Sequence, residues 1–312
     1  MCSCWRLRRS NSLLLALLIA APALSAPVEL VADPAPVTNI VIKRTTLPAR
    51  VSLAFDRALV LSLADATAAR LRAFPLIGKR TVTGNLIPGG SAVFRGNFYS
   101  VSVAGTKAGS TPTVWVDKRF DAKHDAVVSV MAIDAPRVLI RQPRAPAGGA
   151  TIVIPRGGTG DAQAWANIGG ERIRVSLDLE TKTTIMNARA AAALEGEGLL
   201  KRGGTVGLWE PVPGVALPYE RMRVTPGASF MWLPLVAPVA RISEERAKLL
   251  DARAKAGTTA AEDEADTIVV TAKKERGRAP WLIIGMDVLG KCGSIELDRP
   301  GKRWVLTCDF AG

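Results

Sequence analysis

Histidine is almost missing from this chain: among 312 residues there is one, His124. That scarcity excludes His-rich zinc sites and leaves any Ser-His or Cys-His mechanism a single residue to run through. His124 sits in Asp121-Ala122-Lys123-His124-Asp125, a charged stretch that reads as a solvated loop. Aromatics are scarce at 5%, whereas glycine (28) and proline (20) are plentiful, which suits short strands and turns better than long helices. No basic helix or aromatic-basic stripe gathers the arginines, so the net charge of +13 carries no nucleic-acid signature. Nothing points to a cofactor or a metal. With 48% apolar and 22% charged residues, the composition excludes wholesale disorder, and the length allows one large domain or two smaller ones.

The N-terminus reads as an export signal. Arg6-Leu7-Arg8-Arg9 precedes the apolar run Leu13–Ala21 and then small residues, with cleavage expected after Ala23 or Ala26. The run is short for a membrane span and no later stretch reaches that length, so a periplasmic or secreted protein without a span is expected. Removing residues 1–26 takes Cys2 and Cys4 away and leaves Cys292 and Cys308. In an oxidising compartment two cysteines flanking one hairpin predict a disulfide. The hairpin is Ser294–Leu297 and Arg303–Leu306 around the turn Asp298-Arg299-Pro300-Gly301.

The rest of the chain reads as one plan written twice. Residues 27–141 and 151–312 each alternate β-rich runs with turns, and the Pro/Gly-rich stretch 142–150 links them. Arg50-Val51-Ser52-Leu53-Ala54-Phe55-Asp56 parallels Arg174-Val175-Ser176-Leu177-Asp178, and each is followed by an alanine-rich helix near Leu71 or Leu194. Val127-Val128-Ser129-Val130 parallels Ile283-Ile284-Gly285-Met286. The interval from Asp56 to Ser129 comes within a few residues of that from Asp178 to Gly285 once a charged excursion, 242–279, is taken out. The excursion opens with a helix capped by Ser243, and its balanced charge predicts an exposed, mobile segment.

Leu282-Ile283-Ile284-Gly285-Met286-Asp287-Val288-Leu289, with the hairpin after it, is similar to the closing strand-helix unit of the retropepsin-like aspartic peptidases. The resemblance implies an all-β fold of two such lobes with short helices, face to face in a bilobal, pepsin-like arrangement that needs no second chain and is therefore monomeric. It also implies that Asp56 and Asp178 are the catalytic pair. Hydrolysis by two carboxylates needs them within hydrogen-bonding distance and sharing one proton, so that one activates water while the other protonates the carbonyl. The family carries Asp-Thr/Ser-Gly at each site. Here the loops read Asp56-Arg57-Ala58 and Asp178-Leu179-Glu180-Thr181, without the glycine or the adjoining hydroxyl. Arg57 favours an ionised Asp56, and Glu180 adds bulk and charge where the loop should be tight.

Two glycine-rich stretches resemble flaps over a cleft: one carries Gly84, Pro88 and Gly89, the other Gly204 and Gly207. The expected function is a divergent aspartic endopeptidase acting on extended peptide or protein substrates. The alternative is a non-catalytic peptide-binding or envelope-interaction module. Within the excursion, residues 266–276 (Asp266 to Arg276) resemble the TonB box of outer-membrane receptors, an exposed β-prone segment suited to strand addition, which makes TonB an expected partner.

Overall fold

Short runs rich in Val, Ile and Thr, separated by Gly and Pro, form the strands here. The structure is a computed structural model that describes residues 26–84, 87–146, 148–158, 161–256 and 279–310. Residues 1–25 of the expected export signal 1–26, and the TonB-box-like segment 266–276, lie outside the described residues. Among those residues the chain is mainly β, and no helix is long and apolar enough to cross a membrane.

The N-terminal half carries β1 (Val28–Val31), β2 (Val37–Ile42), β3 (Thr45–Ser52), β4 (Leu59–Ser62), β5 (Lys79–Thr83), β6 (Ser91–Val103), β7 (Gly109–Val116), β8 (Ala126–Ser129) and β9 (Arg137–Arg141). Helix α1 (Leu63–Ala68) follows β4. The main sheet of this half runs β2-β3-β8-β4-β7-β6-β5, and a second pairing of β2 with β6 closes six of these strands into a barrel. Ile40, Ile42, Val51, Leu59, Leu61, Val101 and Val128 fill its interior.

The C-terminal half carries β10 (Ala150–Pro155), β11 (Ala164–Ile168), β12 (Glu171–Leu177), β13 (Ile185–Met186), β14 (Leu200–Val212) and β15 (Val215–Val224). After the small hairpin of β16 (Ser229–Phe230) and β17 (Leu233–Pro234) come β18 (Val239–Arg241), β19 (Trp281–Ile284), β20 (Cys292–Asp298) and β21 (Arg303–Cys308). Its helices are α2 (Ala188–Gly196), α3 (Glu244–Lys255) and α4 (Met286–Leu289). The main sheet runs β11-β12-β19-β13-β18-β15-β14.

Strand for strand, the two main sheets have the same order. Read from the β2 or β11 edge, neighbours are antiparallel, parallel, antiparallel, parallel, antiparallel and antiparallel in both. The helix starts match as well. Ser62 caps α1 by accepting from the Asp65 N–H at 3.0 Å, and Asn187 caps α2 by accepting from the Ala190 N–H at 3.0 Å. The run from Arg50 to Asp56 parallels Arg174–Asp178 in sequence, but β3 stops at Ser52 and residues 53–57 bend away.

A third sheet, β1-β9-β20-β21-β10, joins the halves. In it β9 pairs antiparallel with β20, setting Val138 opposite Leu297. Cys292 and Cys308 face each other across β20 and β21 and form the expected disulfide. Buried Trp304 on β21 donates from Nε1 to the Ala162 carbonyl at 2.7 Å. The stretch 142–150 is anchored at both ends. Gln142 is buried and donates to the Leu289 and Cys292 carbonyls at 2.8 and 2.9 Å, and Ala150 already belongs to β10.

Helix α3 forms as the sequence predicts, with Ser243 accepting from the Arg246 N–H at 3.2 Å. This part of the excursion is docked, not free. Leu250 is buried, and the Arg246 guanidinium lies 3.2 Å from Glu220. Glu220 has no exposed side-chain surface, so it needs the charge of Arg246 and of Arg202 at 3.4 Å.

Candidate functional site

Strand β12 delivers Asp178 to the start of a loop that α4 holds from behind. The Asp178 N–H donates to the Ile284 carbonyl at 3.0 Å, continuing the parallel pairing of β12 with β19. One carboxylate oxygen accepts from the Glu180 N–H at 3.1 Å, and the other accepts from the Thr181 hydroxyl at 2.6 Å. A hydroxyl thus orients this carboxylate although none adjoins it in sequence. Met286 and Asp287 at the start of α4 donate their N–H groups to the Thr181 and Lys182 carbonyls, at 2.8 and 3.0 Å. Asp287 also accepts from the hydroxyl of buried Thr184 at 2.9 Å. Gly285 permits this approach, because a Cβ there would lie 2.6–2.7 Å from backbone atoms of Thr181 and Thr183.

The register of the N-terminal half decides what matches Asp178. Ser129 and Gly285 each cap the helical turn that follows β8 or β19, and so occupy one structural position. Ser52 pairs with Ser129, while the residue paired with Ile284 is Leu177, which brings Asp178 level with Gly285. Ser52 therefore stands where Asp178 stands. Its buried hydroxyl accepts from the Ala54 N–H at 3.2 Å, two residues on, just as Asp178 accepts from Glu180. The expected partner, Asp56, lies four residues beyond this position. The residue is exposed, but its carboxyl is partly covered and lies beside the Ala162 N–H. Burial and the nearby Asp161 raise its pKa, against the opposing pull of Arg174; Asp178 is not among the charged groups that act on it.

Between the two loops lies a charged cluster drawn from distant parts of the sequence. Arg50, two residues before Ser52, donates from Nε to Asp121 at 2.7 Å and lies 3.0 Å from Glu180, two residues after Asp178. The contact ties one half to the other. Burial alone would raise the Asp121 pKa, but the N–H groups of Lys123 and His124 together with Arg50 outweigh it and hold the carboxyl below its usual range. For Glu180 burial wins: despite Arg50, and with Asp121 and Asp178 adding repulsion, its pKa is pushed up to about 7. His124, expected as a solvated loop histidine, instead places Nδ1 3.2 Å from Asp121. Asp121, His124 and Glu180 each bring one metal-ligating atom within 4.8 Å of the others. The Arg50 guanidinium already pairs with both carboxylates and supplies the positive charge that a cation would bring.

The flap candidates divide. Gly84, Pro88 and Gly89 do lie at the turn of a hairpin, beyond the last β5–β6 pair of Thr83 with Ser91. Gly204 and Gly207 lie inside β14, and the tip of the β14–β15 hairpin is Pro213-Gly214. Their glycines serve packing. Gly204, at φ 74°, gives its N–H to buried Glu220 at 3.1 Å within a bulge, and a Cβ on Gly207 would lie 2.4 Å from the Tyr219 ring.

Among solved structures, one match is a retropepsin-like aspartic protease from Rickettsia conorii. The chain is structurally similar to it over 30% of its length. That share spans 72% of the other chain, at 14% sequence identity and a TM-score of 0.23. No family model matches the chain, and no curated protein does.

Proposed function

We propose that this is an exported protein of two retropepsin-like lobes in which hydrolysis has been lost and the cleft between the lobes binds extended peptides. The observation that carries this reading is Ser52 in the position of Asp178. Two-carboxylate hydrolysis depends on a shared proton and on a second group that titrates with the first. A serine hydroxyl does neither at any working pH. Asp178 keeps its orienting partners, Glu180 and Thr181, and so presents one fixed carboxylate to whatever lies in the cleft. The identical strand orders and the contact from Arg50 to Glu180 support two lobes meeting at their loops.

The test is incubation of the mature protein with a diverse peptide library from pH 3.5 to 7.5, read by mass spectrometry and by peptide retention. Retention without cleavage is expected. Cleavage that disappears in Asp178→Asn would overturn the loss of hydrolysis, and the absence of any retained peptide would overturn the binding role. Ser52→Asp restores the missing carboxyl, and weak acid-favoured cleavage by that variant would identify Ser52 as the lesion.

A further inference from the structure

A cavity of about 510 Å³ opens in the C-terminal half, away from the Asp121–Glu180 cluster in its lining. Its walls are Arg174 on β12, Trp209, Pro211 and Val212 on β14, Arg241 on β18, and Ala279 with Trp281 at the start of β19. The fold brings these together for identifiable reasons. Arg174 and Trp281 are direct partners across the parallel β12–β19 pair, so their side chains leave the sheet on one side. The β14–β15 pairing shifts register between Trp209 and Val212, and such a bulge re-aims the strand's side chains. Beyond it the hairpin tip is tied down by the Gly214 N–H, which donates to Glu210 at 2.7 Å. The rings of Trp209 and Trp281 stand with centroids 6.3 Å apart, tilted by 43°.

Among the described residues the lining is apolar and cationic, with no acidic residue. Two indole faces suit an apolar or aromatic body. The guanidinium of Arg174 at the wall suits a planar anion, above all a carboxylate, which matches its fork of donors. Among the described residues Arg174 forms no ion pair within 4 Å; it acts on the Asp56 carboxylate through its field. The cavity lies within the size range of small-ligand sites and is far too small for a folded partner.

We propose that this cavity binds a carboxylate carried on an apolar or aromatic body, supplied either by the C-terminal residue of a peptide or by a free organic acid. The proposal does not depend on how the cleft between the lobes is used. Arg174 holds the carboxylate, and Trp209 and Trp281 hold the body.

The test is calorimetric titration of the full mature protein with 3-phenylpropionate, with its neutral amide, and with a short acetylated peptide ending in Phe as either free acid or amide. The acids should bind about tenfold tighter than their amides, the difference that one charge-assisted contact of this kind makes. Arg174→Gln should bring acid affinity down to that of the amide and leave the amide unchanged, while Arg174→Lys recovers part of the loss. Trp209→Ala should weaken acids and amides alike. Binding of the free acid alone identifies an organic acid as the source; binding of both acids admits the peptide terminus. Equal affinity for acid and amide, no binding of either acid, or an Arg174→Gln variant that retains the preference for acids would overturn the proposal. Arg174 is exposed, so its substitution leaves the fold intact, and an unchanged melting curve confirms that.

Discussion

Around the loop that follows β12, the C-terminal half carries Asp178, Thr184, Gly285 and Asp287; in the matching register the N-terminal half carries Ser52, Leu59, Ser129 and Met131. In the first set a carboxylate is oriented by hydroxyl and amide, and a second carboxylate pins the loop through a buried threonine. In the second set the pinning pair has become buried leucine and methionine, and the oriented carboxylate has become a hydroxyl. Both members of the pair differ together. Replacing both members of a polar pair by apolar groups is nearly neutral for stability, whereas replacing one leaves its partner unpaired. The N-terminal half thus keeps the strand order without the network. Strand order and loop chemistry are separable, and the loop is where the halves differ.

The largest effect should come from exchanging the residue behind the loop. Gly285→Ser puts a Cβ against backbone that cannot step aside, and should destabilise the protein by about 3 kcal/mol. The reverse exchange, Ser129→Gly, removes a hydroxyl that donates to the Phe55 carbonyl at 2.8 Å and caps the next turn. It should cost only about 1 kcal/mol. Urea denaturation of both variants checks the asymmetry; equal costs would mean that the two loops pass their helical turns at the same distance.

Much of this architecture was legible in the sequence. The hairpin bridged by Cys292 and Cys308, the strand-helix unit 282–289 and the cap Ser243 are local patterns whose signals lie within a few residues. The partner of Asp178 was not legible. An aspartate at position 56 offers the same residue type at nearly the same spacing, and only non-local hydrogen bonding shows that β3 ends four residues earlier. Counting back from the helix caps offers a signal: Asp178 precedes Asn187 by nine residues, and nine before Ser62 is Leu53, adjacent to Ser52 and well short of Asp56. The charged cluster was hidden for a like reason, since Arg50, Asp121 and Glu180 are far apart in the chain. Gly207 misled because a glycine selected by the Tyr219 ring and one selected by a turn look the same in sequence.

A middle-sized effect tests whether the change between the halves was concerted. Thr184→Val removes the hydroxyl that Asp287 accepts from and should cost about 2 kcal/mol. Adding Asp287→Met converts this corner to the composition of the N-terminal half. The double variant should be less destabilised than the sum of the two single ones, since the apolar pair leaves no orphaned carboxylate. Strict additivity would sever the tie between these residues.

The smallest effect concerns the bond between the halves and is read through pH. Glu180 has a folded-state pKa of about 7 against an ordinary value of 4.5, so the folded protein holds this proton where the unfolded chain has released it. Below pH 4.5 both states are protonated, and Glu180→Gln should then melt with the native protein. As pH rises from 4.5 to about 7, ionisation favours the unfolded chain, and the native protein should lose stability relative to the variant. Above about 7 the gap should stay constant. The side chain keeps 36% of its surface exposed, so water screens the penalty and the gap is small. Asp121, with its pKa depressed, behaves oppositely: its contribution is present above its unfolded value and is lost only as pH falls further into acid. Melting curves of native and Glu180→Gln protein across pH 4–8 separate the two groups. A gap that does not change through this window would show that Arg50 holds Glu180 ionised, and that the halves are joined by a full salt bridge instead of by a carboxyl close to neutrality.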